Sequence, residues 1–263
     1  MNLFGVFGAL LIGIVLGLIG GGGSILTVPI FVYVLEVEPV LATAYSLFVV
    51  GIAALFGAIK NAQENLVEYK TGFVFALPAF IGVYIARRFL LDLIPNVIFK
   101  LGEFSLTKDM GIMMFFALMM IFASYFMIKD KNEQNINKKS SRNIYILIFE
   151  GFSVGILTGI VGAGGGFIII PALVLFAGLQ MKNAIGTSLM IIAIKSLFGF
   201  IGDLQNDSII IDWLLLGGFT FLSIIGILTG LYFNKFIEGN NLKKGFGWFV
   251  LIMGIGIILK EII

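Results

Sequence analysis

The chain has 263 residues, 59% of them hydrophobic and only 12% charged, with 17 basic against 15 acidic side chains and a mean hydropathy of +1.09. So few charges cannot cover a water-soluble domain of this length while hiding so many apolar side chains, so the solvent is lipid. Cysteine and histidine are absent, which excludes disulfides, thiolate nucleophiles, most zinc sites and Ser-His-Asp machinery. No enzyme activity, cofactor or metal is expected, and the near-neutral balance of +2 offers no basic surface for nucleic acid.

Apolar runs fall at about residues 3–19, 24–35, 40–59, 71–91, 110–128, 144–161, 167–179, 183–202, 213–234 and 245–259. The first lacks the basic leader and cleavage pattern of a secretory signal and is expected to stay as a membrane segment. A bilayer core needs roughly 20 apolar residues per helix, so 24–35 and 167–179 are too short to cross comfortably, and each suits half of a re-entrant hairpin. The stretch 92–109, with Pro95, Lys100 and Glu103, reads as an amphipathic patch along the interface or a plain loop. The hydrophilic stretch 129–143, KDKNEQNINKKSSRN, divides the chain into a first membrane repeat at 1–128 and a second at 144–263.

The division is a repetition. GLIGGGGSILTVP at 17–29 matches GIVGAGGGFIIIP at 159–171 at a constant offset of 142, and ATAYSL at 42–47 matches AIGTSL at 184–189 at the same offset. Shared apolar composition cannot align four glycines, a proline and a serine without gaps. With five spans per half, or three if the short segments are re-entrant, the count is odd and the second copy is inverted, as in many secondary transporters. The expected fold is an all-α polytopic membrane protein of two inverted-topology repeats with glycine-broken helices. The positive-inside rule places 129–143 in the cytoplasm with Lys60, Lys70, Lys235, Lys243 and Lys244, and places Glu36, Glu38, Asp203, Asp207 and Asp212 outside. Both termini come out external, and Arg87 and Arg88 break the rule.

The glycine clusters Gly20 to Gly23 and Gly162 with Gly164 to Gly166 interrupt apolar helices. Glycine in a helix interior costs about 1 kcal/mol relative to alanine, and irregular backbone cannot face lipid. The breaks therefore face protein or a cavity. A new helix starts near Ser24 and near Phe167, and its amide-rich end suits an anion; inversion brings the two ends together near the midplane. Gly13, Gly17, Gly155 and Gly159, spaced by four, read instead as helix-packing positions. No Gly-Lys-Ser/Thr follows either cluster, against a P-loop.

The paired motifs place Thr43, Tyr45 and Ser46, and again Thr187 and Ser188, early in the following spans, where hydroxyls can meet an oxyanion or bond back to helix carbonyls. Lys195, in LMIIAIKSLFGF, lies seven residues from the polar end of its span, about 10 Å deep. A charge at that depth points to a cavity or partner, or snorkels. Its counterpart in the first copy is Ala53. Glu150 either pairs with Lys195, carries a coupling proton or snorkels. GFIGD at 199–203 has the wrong spacing for an intramembrane aspartyl protease, and no second aspartate completes a dyad.

With its two glycine-rich motifs, each followed by Pro29 or Pro171 and then by an A-x-x-x-S-L stretch, the chain resembles the TauE/SafE family of sulfite-exporter-like permeases over essentially its whole length. The resemblance implies a multi-pass transporter of a bacterial or archaeal cytoplasmic membrane, with small sulfur anions such as sulfite or sulfonates as substrates. Ser24 stands where the second copy has a glycine and Lys195 has no counterpart, so a symmetric site is not implied. The expected function is secondary transport of a small anion by alternating access. Gly21, Gly22, Gly23, Ser24, Thr27 and Ser46 would face it from the first copy, and Gly164, Gly165, Gly166, Thr187, Ser188 and Lys195 from the second. The alternative is a non-transporting scaffold or accessory subunit. The expected partners are the anion and the lipid bilayer, and a homo-oligomer is compatible with the sequence.

Overall fold

A computed structural model describes residues 3–21, 23–101, 104–129, 144–161, 164–175, 177–204 and 211–262. Gly22, Gly162, Asp207 and all of the 129–143 linker but Lys129 lie outside the described residues. Helix α1 (Leu3–Ile19) is followed by α2 (Gly23–Pro29), which passes into a π-helical turn at Ile30–Val34. Then come α3 (Pro39–Gln63) and α4 (Tyr69–Ile85), the latter extended by a second π-helical turn at Ala86–Leu90 and a short α5 (Leu91–Leu93). The second half contains α7 (Ile144–Val161), α8 (Gly166–Leu175), α9 (Met181–Leu204), α10 (Trp213–Asn234) and α11 (Gly239–Ile262), after α6 (Lys108–Ile128).

The stretch expected along the interface folds differently from a helix or plain loop. Val97–Leu101 (β1) and Phe104–Thr107 (β2) pair antiparallel, with Phe99 opposite Leu106 and a register shift after Val97. Branched and aromatic residues favour this extended form, and it ends in Thr107, whose side chain caps α6 by accepting from the Met110 amide.

Among the described residues six helices are long and apolar enough to cross a membrane: α3, α4, α6, α7, α9 and α10. Phe7, Leu77, Phe122, Phe149 and Leu214 are exposed on outward faces, as a lipid solvent demands. Of the six, α3 and α9 are the most buried, and they form the centre of the molecule. Gly51 lies beside Leu197, Gly57 beside Leu189 and Gly186 beside Asn61, so α3 and α9 run antiparallel.

The two halves repeat in detail. Leu35 N donates to Ile30 O and Val37 N to Phe31 O, and 142 positions later Ala177 N donates to Ala172 O and Leu179 N to Leu173 O. Glu36 and Gly178, equivalent by the same offset, both have positive φ, 54° and 64°. Since α3 and α9 are the equivalent helices of the halves, their antiparallel pairing is what an inverted duplication produces.

Within the first half, Gly23 packs on Ile12 and Leu16 while Gly8 packs on Ile30, so α1 and α2 form an antiparallel hairpin turning at the glycines. Gly13 and Gly17 meet Gly226 and Gly230 of α10, and Gly155 and Gly159 meet Ala79, Val83 and Ala86. A Cβ at any of the four would strike its neighbour, most often on the backbone, so these glycines serve close helix approach.

Candidate functional site

The two glycine breaks touch. A Cβ added to Gly21 would overlap the Gly166 backbone, and one added to Gly166 would overlap Gly21. Gly164 sits against Val50, Ser24 and Ile192, which sets the contact between the middles of α3 and α9. Two glycines here have left-handed backbone, Gly20 at φ 74° and Gly165 at φ 70°, a conformation that costs other residues about 1–2 kcal/mol. Ser188 Oγ lies 2.7 Å from Gly20 O and 2.8 Å from Ile185 O, so one proton is shared between α9 and the break after α1. Ser24 Oγ donates to Gly21 O at 2.6 Å and ties the start of α2 to the same turn.

Lys195 reaches this contact from α9. It is fully buried, and its Nζ donates to Thr158 Oγ1 at 2.7 Å, while Thr158 donates to Val154 O at 2.7 Å. A Cβ on Gly165 would lie 3.0 Å from that Nζ, so the ammonium abuts bare backbone at the second break. Among the described residues it has no carboxylate partner. Glu150 does not pair with it; one of its carboxylate oxygens is buried without a hydrogen-bond partner among the described residues, as are Ser46 Oγ and Ser196 Oγ.

Of the residues singled out in the sequence, Gly21, Ser24, Gly164, Gly165, Gly166 and Lys195 thus converge, with Ser188 bracing the contact. Thr27 is buried and donates to Gly23 O within α2 at 3.1 Å. Gly23 packs against α1. Thr187 accepts from the Glu68 amide at 2.9 Å, eight residues and about 12 Å along α9 from Lys195. Ser46 lies seven residues from Ala53, toward the opposite end of α3.

A second polar cluster was not assembled from the sequence. Arg87, in the π-helical turn after α4, is buried, and its Nε and Nη2 donate to the two carboxylate oxygens of Asp203 at 2.6 Å each. Its Nη1 donates to Thr43 Oγ1 at 2.7 Å and lies 3.4 Å from Gly159 O. A π-helical turn shifts the facing of its residues by about one position, and this one aims Arg87 inward. The pair links α4 of the first half to α9 of the second on the side assigned as outer. It explains why Arg87 breaks the charge rule: the guanidinium is neutralised inside the protein. The position equivalent to Asp203 in the first copy is Asn61, whose amide donates to Gly57 O at 2.9 Å.

The family model described as "Sulfite exporter TauE/SafE" matches residues 5–257. The chain belongs to the TauE/SafE sulfite exporter family. Membership makes it a multi-pass transporter of a bacterial or archaeal cell membrane and not an enzyme. A probable membrane transporter protein of Xylella fastidiosa strain 9a5c is 27% identical over 262 residues, covering 95% of this chain and 92% of that one. A similarly described protein of Haemophilus influenzae is 27% identical and covers 95% of each chain. One from Methanocaldococcus jannaschii is 24% identical over 75% of this chain and 70% of its own. No solved structure matches the chain.

Proposed function

We propose that this transporter carries a small anion, of the sulfur oxyanion or organosulfonate class, by alternating access between two inverted repeats at 1–128 and 144–263 joined by a cytoplasmic linker. The observation that carries this reading is Lys195: a fully buried amine at the contact of the glycine breaks, with a threonine hydroxyl for a partner and no carboxylate among the described residues. A cation deep in a membrane protein costs a few kcal/mol on insertion scales and ordinarily pairs within the protein. An anion placed against Gly165 and Lys195 supplies the missing charge. The helix starting at Gly166 adds the positive end of its dipole. Gly21, Ser24 and Gly164 bound the same space, and the approaches pass Ser46 on the outer side and Ser188 and Thr187 on the inner. Thr27 and Gly23 support the first break.

In this reading Arg87 and Asp203 hold the outer side shut, since their bidentate pair ties α4 to α9 across the halves. Loading from outside requires that pair to part.

The test is flux of labelled sulfite and of a sulfonate into proteoliposomes, with and without a proton gradient. Wild type is expected to move at least one of these anions, and Lys195→Met to abolish the flux while the folded protein is recovered in normal yield. Transport that survives in both Lys195→Met and Gly165→Val overturns the site. No flux of any anion by wild type overturns the function.

A further inference from the structure

A cavity opens at the inner end of the molecule, where α3 ends, α9 begins and α10 ends. Its polar lining is Lys60, Asn61, Glu64, Lys182, Asn234 and Lys235. Three ammonium groups thus face one carboxylate. Lys235 Nζ lies 2.8 Å from Glu64 Oε1, in a pair open to solvent, and neither Lys60 nor Lys182 has a carboxylate partner among the described residues. One lining residue reaches toward the first glycine break. Asn234 donates its side-chain amide to Leu18 O, two residues before the left-handed Gly20, and Asn61 stands beside Gly186 near the start of α9.

The charge is one-sided. At the offset of 142, Lys60 corresponds to Gly202, Asn61 to Asp203 and Lys182 to Val40. The outer end therefore carries an acid, already bound to Arg87, where the inner end carries unpaired lysines. A concave site of one sign with low-dielectric walls focuses its field and raises the local concentration of counter-ions. The lysines remain hydrated, so the site binds weakly and releases quickly, as a capture station must.

We infer that this cavity is a cationic vestibule that draws small anions from the inner side and delivers them to the glycine contact. The inference rests on the anion reading above and adds a second, shallower binding site to it. The Glu64–Lys235 pair sets its strength: Glu64 occupies one of the three cations until an incoming anion competes for it.

The experiment measures initial rates of sulfite transport in proteoliposomes with substrate on the vestibule side. It compares wild type, Lys60→Gln with Lys182→Gln, and the charge-keeping Lys60→Arg with Lys182→Arg. At an ionic strength of about 0.01 M, where the Debye length is about 30 Å, the glutamine pair is expected to raise KM about tenfold, with the loss falling on KM rather than kcat. At about 1 M salt, where that length is about 3 Å, the difference should shrink to under about twofold. The arginine pair should retain the wild-type KM. Glu64→Gln should lower KM at low salt. Equal KM for wild type and the glutamine pair at low salt overturns the vestibule, and so does a defect shared by the arginine pair and indifferent to salt. Running the series in neutral phosphatidylcholine vesicles and in vesicles containing phosphatidylglycerol separates soluble anion from lipid headgroup. A defect confined to the anionic vesicles assigns the lysines to lipid and overturns the inference. Failure of wild type to move sulfite at any salt counts against the anion reading itself, not the vestibule alone.

Discussion

Arg87 and Lys195 are both buried basic side chains in membrane-spanning segments, yet Arg87 meets two carboxylate oxygens at 2.6 Å and Lys195 meets a threonine hydroxyl. The first is complete within the protein: the planar guanidinium matches the carboxylate, and Thr43 takes a further donor. The second has spare donors and stands against backbone that lacks a Cβ. A charge that serves only to join helices is neutralised where it sits. A basic group without a carboxylate has donors to offer a ligand.

That contrast fails or holds on a stability measurement. Arg87→Ala removes two donors from the buried Asp203 carboxylate and should cost about 3–5 kcal/mol, whereas replacing both residues by apolar ones, Arg87→Met with Asp203→Leu, should recover most of the loss. Lys195→Met should stay within about 1 kcal/mol of wild type or exceed it, because it removes an unpaired buried charge. Thermal unfolding in detergent reads both. If Lys195→Met is as damaging as Arg87→Ala, Lys195 is a structural residue and the contrast collapses.

A smaller effect sharpens the central contact. Gly165→Ala combines left-handed backbone with a collision against Thr158 and should cost about 2–3 kcal/mol, while Gly178→Ala, equally left-handed but facing open space, should cost about 1. The same unfolding assay compares them. Ser188→Ala removes the bond to Gly20 O and should lower stability by about 1 kcal/mol. Smallest of all, Glu64→Gln breaks an exposed pair and should shift the midpoint by less than about 1 kcal/mol.

The glycine contact could be read from the sequence because it depends on a repeat: two breaks at one offset, in copies of opposite direction, face each other. Lys195 stood out because charge is rare in so apolar a chain. The Arg87 cluster was not legible in the same way, since its partner is 116 positions away and a π-helical turn re-aims the arginine. The one signal was that Arg87 broke the charge rule beside a loop carrying Asp203. Thr158 carries no signal in the sequence: it bonds back to its own helix, as threonines commonly do, and only the approach of α7 to α9 gives it Lys195. Thr187 and Ser188 are neighbours in sequence, but adjacent residues on a helix point about 100° apart. Ser188 turns to the glycine break and Thr187 to the Glu68 amide.

The tight glycine seams join α1 to α10 and α4 to α7, pairing the first helix of each half with the fourth helix of the other. Any motion that preserves those seams carries α1 together with α10, and α4 together with α7. Each such unit is therefore of mixed parentage, assembled from both copies. A chain cut at the central linker would have to exchange helices with its other piece before either could close its own packing. The sequence repeats by halves, but the close packing is divided along another line.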